Sequence, residues 1–315
     1  MSRNCLACYQ PVLIEDGEFH QECSKKVFLQ HEAPVLTYTE KELAELGIQV
    51  IRSSISVTGV QPKLSLDIAN ERKNQPSKRF TIVGLWGQYI LKPPTPRYPQ
   101  LPETEDLTMH LAEIAGMPVV PHSLIRLASG SLAYITRRID RIKGTKLHME
   151  DMCQITGKLT EEKYHGSYEQ VAKAILQYSS FPLLDAIALC EVLLFSFITG
   201  NADMHLKNFS LIKTRPDEYR LAPAYDLVST TLVNPADKEE LALTLNGRKN
   251  KITKEDFIRF FERLALEPQQ QERLFSQMQK SADGWVAFIR QSFLTGEFQE
   301  SFIAIIRERM RRLSL

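Results

Sequence analysis

Gly200-Asn201-Ala202-Asp203-Met204-His205-Leu206-Lys207-Asn208-Phe209-Ser210-Leu211-Ile212 places an acid, an imidazole, a cation and an amide in one short turn. An apolar helical run at 183–198 precedes the turn, and a β-like piece at 208–213 follows it. The polar residues therefore sit between two elements that expect burial. Asp203 and Asn208 are spaced D-x-x-x-x-N, and Asp226 comes eighteen residues after Asn208, beyond a second strand at 219–222. A carboxylate five residues before an amide, then a second carboxylate after a β-hairpin, can place a base and two Mg²⁺ ligands around a γ-phosphate. The same residue types also build Asx turns that cap a strand, so the rest of the chain has to decide.

At 315 residues the chain has room for two substantial lobes, by the rule of about 100–200 residues per domain. Its 39 basic and 38 acidic side chains leave a net charge of +1, which gives no basic face for direct nucleic-acid binding. The longest apolar run contains Asp185 and Glu191 and is expected to be a core helix that does not span a membrane. The first residues, Met1 to Cys5, lack the apolar stretch of a secretory signal. Five cysteines in a chain this long imply reduced thiols and a cytoplasmic location.

Taken in order, the chain divides into an N-terminal Cys/His segment with a short helix (1–50), a β-rich lobe (51–145) and a helical lobe (146–315). Cys5-x-x-Cys8 and His20-x-x-Cys23, eleven residues apart, have the spacing of a small zinc knuckle, with a β-like hairpin expected at 11–19. Reduced structural cysteines docked on the neighbouring lobe are the alternative. Thr39 to Glu42 has capping-box spacing and predicts a helix running to Gly47. Residues 52–66 read as strand, turn, strand around Gly59, with hydroxyls at Ser54, Ser56 and Thr58 where a loop could cover phosphates. A serine-rich β-turn is the simpler reading of that stretch. A hairpin is expected between 80–83 and 88–92, turning at Gly84 and Gly87 and ending at Lys92. The helix predicted at 104–116 offers Glu103, Glu105 and Glu113 as partners for Lys92, of which Glu105 is the choice. Strands at 123–127 and 132–138 follow. Helices are predicted at 167–178, 254–264, 269–292 and 298–312, and the basic run Arg307 to Arg312 reads as a solvated helix end.

As a series, these segments resemble the HipA family of bacterial toxin kinases. The stretches that carry the resemblance are Ser56 to Lys63, Ile90-Leu91-Lys92, Arg137 to Arg141, Asp151 to Gln154, Gly200 to Ile212 and Leu221 to Asp226, covering about 52–290. The resemblance implies an α+β, two-lobed protein-kinase-like fold with a β-rich N-lobe and a helical C-lobe. It implies a Mg-ATP-dependent serine/threonine protein kinase acting as the toxin of a type II toxin–antitoxin system, with an aminoacyl-tRNA synthetase or a similar translation target as substrate. Asp203 would be the catalytic base, with Asn208 and Asp226 holding Mg²⁺. Lys92, Val57, Thr58 and Gly59 would meet the ATP phosphates, the backbone of Arg137 to Ile139 the adenine, and Asp140 and His205 the ribose or phosphates. Ser54 and Ser56 would be autophosphorylation sites. Family members of full length have a longer segment before the glycine loop, so this chain is closer to the split HipT form. That form implies a HipS-like small protein and a HipB-like DNA-binding antitoxin as partners, with DNA reached only through the antitoxin. Against eukaryotic kinases, His205 stands for the usual catalytic-loop lysine and Asp226-Leu227-Val228 for Asp-Phe-Gly. A small-molecule phosphotransferase and a non-catalytic module of an antitoxin–DNA complex remain the alternative functions.

Overall fold

Leu64, Leu66, Tyr89, Leu91, Tyr134 and Ile135 are all buried, and they define the sheet around which the first half of the chain folds. In this computed structural model residues 2–13, 17–53, 63–69, 78–83, 87–142 and 144–315 are described. The chain divides into two compact units: 1–106 with 120–139 and 291–293, and 107–119 with 140–290 and 294–315. Among the described residues all five cysteines are free thiols, and no helix is long and apolar enough to cross a membrane.

The first unit begins with β1 (Ser2–Asn4) and β2 (Pro11–Leu13), followed by α1 (Gln21–Phe28) and α2 (Glu40–Ser53). β1 and β2 pair with each other in a hairpin whose turn carries the first cysteine pair; the turn of the hairpin expected at 11–19 falls on 14–16, outside the described residues. The Thr39 cap forms as expected, with Thr39 N–H donating to Glu42 at 2.8 Å. Its helix runs on to Ser53 and does not stop at Gly47. A mid-helix glycine costs only about 1 kcal/mol, too little to end a helix that continues on both sides through Leu46 and Ile48.

β3 (Leu64–Ile68), β4 (Phe80–Ile82), β5 (Tyr89–Lys92), β6 (His122–Arg126) and β7 (Leu132–Arg137) form an antiparallel sheet in the order β4-β3-β5-β7-β6. Between β5 and β6 in sequence lies α3 (Leu101–Ile114), within which the boundary of the units falls. The hairpin expected between 80–83 and 88–92 does not form. Leu66 faces Ile82 on one side and Tyr89 on the other, so β3 lies between the two strands. Leu64 and Leu66 are almost fully buried, which favours a central position with both ladders paired. Phe28, Phe80 and Tyr89 interlock beside the sheet at centroid distances of 5.2–6.2 Å, and Tyr89 donates its hydroxyl to Phe28 O at 2.9 Å.

The second unit carries β8 (Arg141–Ile142) and β9 (Thr145–Lys146), then β10 (Met149–Asp151) and α4 (Met152–Ile155). The helices α5 (Tyr168–Tyr178) and α6 (Pro182–Ile198) lead to β11 (Ser210–Arg215) and β12 (Glu218–Leu221), which join β10 in a sheet of order β10-β11-β12. α7 (Thr230–Val233), α8 (Lys254–Arg263), α9 (Pro268–Arg290) and α10 (Gly296–Arg312) complete the unit. From Leu189 onward α6 is buried almost throughout, against Trp285 and Phe257.

The basic end of α10 differs from its expected solvated state. Arg309 is buried, 3.0 Å from Glu240, and Arg312 donates to Glu240 at 2.7 Å and to Ile252 O at 2.7 Å. Both guanidiniums lie over the Phe197 ring, at 4.9 and 5.3 Å. Burial raises the Glu240 pKa, but the two arginines and the Ile252 N–H outweigh it and leave the carboxyl below its ordinary value. One half-buried acid therefore draws two of the arginines inward.

Gly87 serves the sheet and not a turn. A β-carbon there would clash with Leu66 O, so Gly87→Ala is expected to lower stability by about 1–3 kcal/mol in denaturant titration. Gly296→Ala, where an added methyl meets nothing within 4 Å, is expected to change stability little by the same measurement.

Candidate functional site

Thr199 closes α6, and Gly200 follows with φ +69°. Gly200 N–H donates to Phe197 O at 3.2 Å and Asn201 N–H to Ser196 O at 2.8 Å, the bond pair of a helix ended by a left-handed residue. A β-carbon on Gly200 would lie 3.0 Å from Thr231 and 3.1 Å from Ile305, so conformation and space both ask for glycine. The turn is then tied to residues just beyond Asp226. Thr230 Oγ1 accepts from Ala202 N–H at 2.8 Å and donates to Gly200 O at 3.2 Å, and Thr231 N–H donates to Gly200 O at 3.0 Å.

Within the turn Asn201 Oδ1 accepts from Asp203 N–H at 3.1 Å. A 3₁₀ turn at Leu206–Asn208 brings Asn208 back, and its Nδ2 donates to the Asp203 carbonyl at 2.9 Å. The D-x-x-x-x-N stretch thus closes on itself, leaving Asn208 Oδ1 as a neutral oxygen donor. Tyr168 donates to Met204 O at 3.1 Å, and Lys207 pairs with Asp151 at 2.6 Å. Asp151 in turn caps α4. Tyr225, next to Asp226, donates to Lys207 O at 3.0 Å and lies 2.6 Å from Ser210 Oγ. Asp226 itself is held at φ +60°, a conformation that costs a non-glycine residue about 1–3 kcal/mol and persists only where its surroundings impose it.

The hydroxyl of Tyr164, a residue 38% exposed overall, donates to Asp203 Oδ1 at 2.6 Å, and its ring meets that of His205 edge-on at 5.0 Å. Burial and then the Asp203 charge, with a further contribution from Asp226, push the Tyr164 hydroxyl pKa well above its ordinary value. Burial raises that of Tyr225 in the same way, with Asp151, Asp226 and Asp140 adding to it and Ser210 opposing. Of the residues proposed from sequence, Asp203, His205 and Asn208 therefore share one turn of the second unit, the charge of Asp226 reaches both Tyr164 and Tyr225, and that of Asp140 reaches Tyr225. An amide oxygen and carboxylates are the hard donors that Mg²⁺ takes, so this set fits that ion.

The first unit holds the other predicted residues. Lys92, at the end of β5, forms an ion pair with Glu105 of α3, their side chains 5% and 2% exposed, and its Nζ lies 5.4 Å from the Tyr134 ring centroid. Arg137 ends β7, and its N–H donates to Pro121 O at 2.9 Å. Pro121 has no N–H, so it returns no bond to the Arg137 carbonyl. Ile139 lies in the turn that follows β7. Cys5, Cys8, His20 and Cys23 bring one ligand atom each to within 4.8 Å of one another. Ser54, Ser56, Val57, Thr58 and Gly59 lie outside the described residues.

Sequence reasoning missed Tyr164, Tyr225, Thr230 and the Lys207–Asp151 pair. Tyr225 stands beside a flagged carboxylate and could have been marked. Tyr164 has no local signal, because its partner lies 39 residues away.

Comparison with known proteins adds the following. The family model described as HipA-like C-terminal domain matches residues 55–286. A Haemophilus influenzae protein named "Putative kinase" is 31% identical over 267 residues, 75% of each chain. The serine/threonine-protein kinase toxin HipA of Shewanella oneidensis is 30% identical over 212 residues, 61% of this chain and 47% of that one. The chain thus spans about half the length of that toxin. Among solved structures, the complex of HipA, HipB and its operator DNA from Shewanella oneidensis matches with a TM-score of 0.65 at 23% identity, over 85% of this chain and 70% of that one. The Helicobacter pylori kinase CtkA matches with a TM-score of 0.54 at 14% identity, over 79% and 93%. Both likenesses are of fold, and the α+β architecture is kinase-like.

Breaking the buried Lys92–Glu105 pair from one side is expected to cost about 3–5 kcal/mol. Lys92→Met and Glu105→Leu should each show that loss in chemical denaturation, and the double variant should recover most of it.

Proposed function

Because the chain belongs to the HipA-like C-terminal domain family, we propose that it is a Mg-ATP-dependent protein serine/threonine kinase acting as the toxin of a type II toxin–antitoxin pair. The observation that carries this reading is the closed Asp203–Asn208 turn, fastened by Thr230 and Thr231 to the chain just past Asp226, which is itself in a left-handed conformation. Phosphoryl transfer passes through a loose transition state and asks mainly for positioning and charge neutralisation. Mg²⁺ held by Asn208 and Asp226 would neutralise charge on the β- and γ-phosphates of ATP.

This chain's own groups supply the rest. Asp203 orients the acceptor hydroxyl and takes its proton as the acceptor oxygen bonds to the γ-phosphorus and the bond to the β-phosphoryl oxygen breaks, releasing ADP. A base so positioned contributes about 10²–10⁴-fold. Tyr164, by donating to Oδ1, fixes the carboxylate and leaves Oδ2 to the acceptor. Lys92, held by Glu105, places its ammonium on the ATP phosphates. The unreturned carbonyl of Arg137, with the Ile139 N–H, would meet adenine. Asp140 and His205 would stand by the ribose or phosphates, and Val57, Thr58 and Gly59 would cover them.

Ser54 and Ser56 are the proposed autophosphorylation sites, and the acceptor in trans is a serine or threonine of a translation protein such as an aminoacyl-tRNA synthetase. A HipB-like antitoxin is the proposed partner, in keeping with the Shewanella oneidensis complex, together with a HipS-like small protein.

Incubation of the purified chain with γ-labelled ATP, Mg²⁺ and a cell lysate is expected to label protein bands, as acid-stable phosphoserine or phosphothreonine. Label confined to small molecules would replace this reading with a small-molecule phosphotransferase, and no label would replace it with a binding module. Tyr164→Phe is expected to lower kcat about tenfold, for the loss of one charge-assisted hydrogen bond of about 1.5 kcal/mol, with the KM for ATP unchanged in steady-state kinetics.

A further inference from the structure

The four Cys/His side chains near the start of the chain are assembled from two short elements of the first unit. Cys5 and Cys8 lie on the turn joining β1 to β2, and His20 and Cys23 flank the start of α1. Their ligand atoms lie within 4.8 Å of one another, with Cys8 Sγ 3.3 Å and Cys23 Sγ 3.9 Å from His20 Nδ1. A tetrahedral zinc with Zn–S of about 2.3 Å and Zn–N of about 2.05 Å sets S···N edges of ~3.6 Å. The two measured edges bracket that value.

The outer contacts point the same way. His20 Nε2 lies 3.0 Å from the Pro11 carbonyl, which can only accept, so Nε2 carries the proton and Nδ1 turns its lone pair to the sulfurs. That is the second-shell arrangement of a metal-bound histidine.

We propose that Cys5, Cys8, His20 and Cys23 bind one structural Zn²⁺. Three thiolates and one imidazole complete four-coordination, so no position stays open for catalysis. The ion fixes a turn that two three-residue strands are too short to hold by themselves. From that turn Leu6 O accepts from Leu124 N–H at 3.2 Å and from Ser123 Oγ at 3.1 Å. Tyr9 donates to Asp106 Oδ2 at 2.8 Å, and Asp106 Oδ1 lies 2.6 Å from His122 Nδ1. Asp106 is the neighbour of Glu105, the partner of Lys92. The zinc centre is therefore a brace for the start of α3 and for β6, independent of any activity of the chain.

The full chain, purified without chelator, is expected to contain about one zinc per molecule by elemental analysis. Its X-ray absorption spectrum should show three sulfur neighbours at about 2.3 Å and one nitrogen at about 2.05 Å. Exchange for Co²⁺ should give the visible bands of a tetrahedral thiolate site, and Cys8→Ser should lose them. If that variant fails to fold, the absorption spectrum of the unaltered chain decides alone. A folded chain that stays metal-free after zinc addition, or whose bound zinc has no sulfur neighbours, overturns the proposal.

Discussion

The second unit depends on one left-handed turn. Gly200 ends the buried helix α6 and is fastened by Thr230 and Thr231 to the chain just past Asp226. Two stretches that each contribute a candidate functional carboxylate are thereby linked through hydrogen bonds of 2.8–3.2 Å, two of them made by the Thr230 hydroxyl. The loop is closed from within by the Asn201 and Asn208 side chains on Asp203. From outside it is held by the Tyr168 and Tyr225 hydroxyls and, through the Lys207–Asp151 pair, by the capped α4. A site whose first groups are held by a packed second layer is preorganised for charge development.

The chain retains costly features where its chemistry is proposed. A buried lysine–glutamate pair is seldom a net gain in stability over apolar side chains of the same size, yet Lys92 and Glu105 are nearly inaccessible. Asp226 keeps a backbone conformation better suited to glycine. Burial, with acidic groups adding to it, raises the pKa of both the Tyr164 and Tyr225 hydroxyls. Each feature is unfavourable locally and is stabilised by the apolar packing of its own unit, around Phe28, Phe80 and Tyr89 in the first and around Trp285 and Phe257 in the second.

Periodicity in the sequence revealed the longer helices of the second unit and most strands, because α5, α6 and α8 to α10 each repeat buried residues at helical spacing, while the short α1, α4 and α7 gave no such signal. The choice of Glu105 for Lys92 was also legible, from the short reach between a strand end and the first turns of the next helix. Strand order was not. The central place of β3 follows from which strands are buried on both faces, a property of the assembled sheet. Glycine misled twice for the same reason. Gly47 and Gly87 look like local breaks, but one is tolerated within α2 and the other allows close approach to Leu66 O. The charge run at the end of α10 looked solvated because its counter-ion, Glu240, is remote in sequence. Tyr164 escaped for that reason too, since a single hydroxyl becomes meaningful only when the fold brings it to Asp203.

The central claim is that Asp203 acts on the acceptor and not on the nucleotide. Its most direct test pairs calorimetric binding of Mg-ATP with γ-phosphoryl transfer, measured on the same preparations of unaltered chain and Asp203→Gln. The account predicts nearly equal nucleotide affinity and a transfer rate at least about 10²-fold lower in the variant. Transfer at the unaltered rate by Asp203→Gln would contradict it.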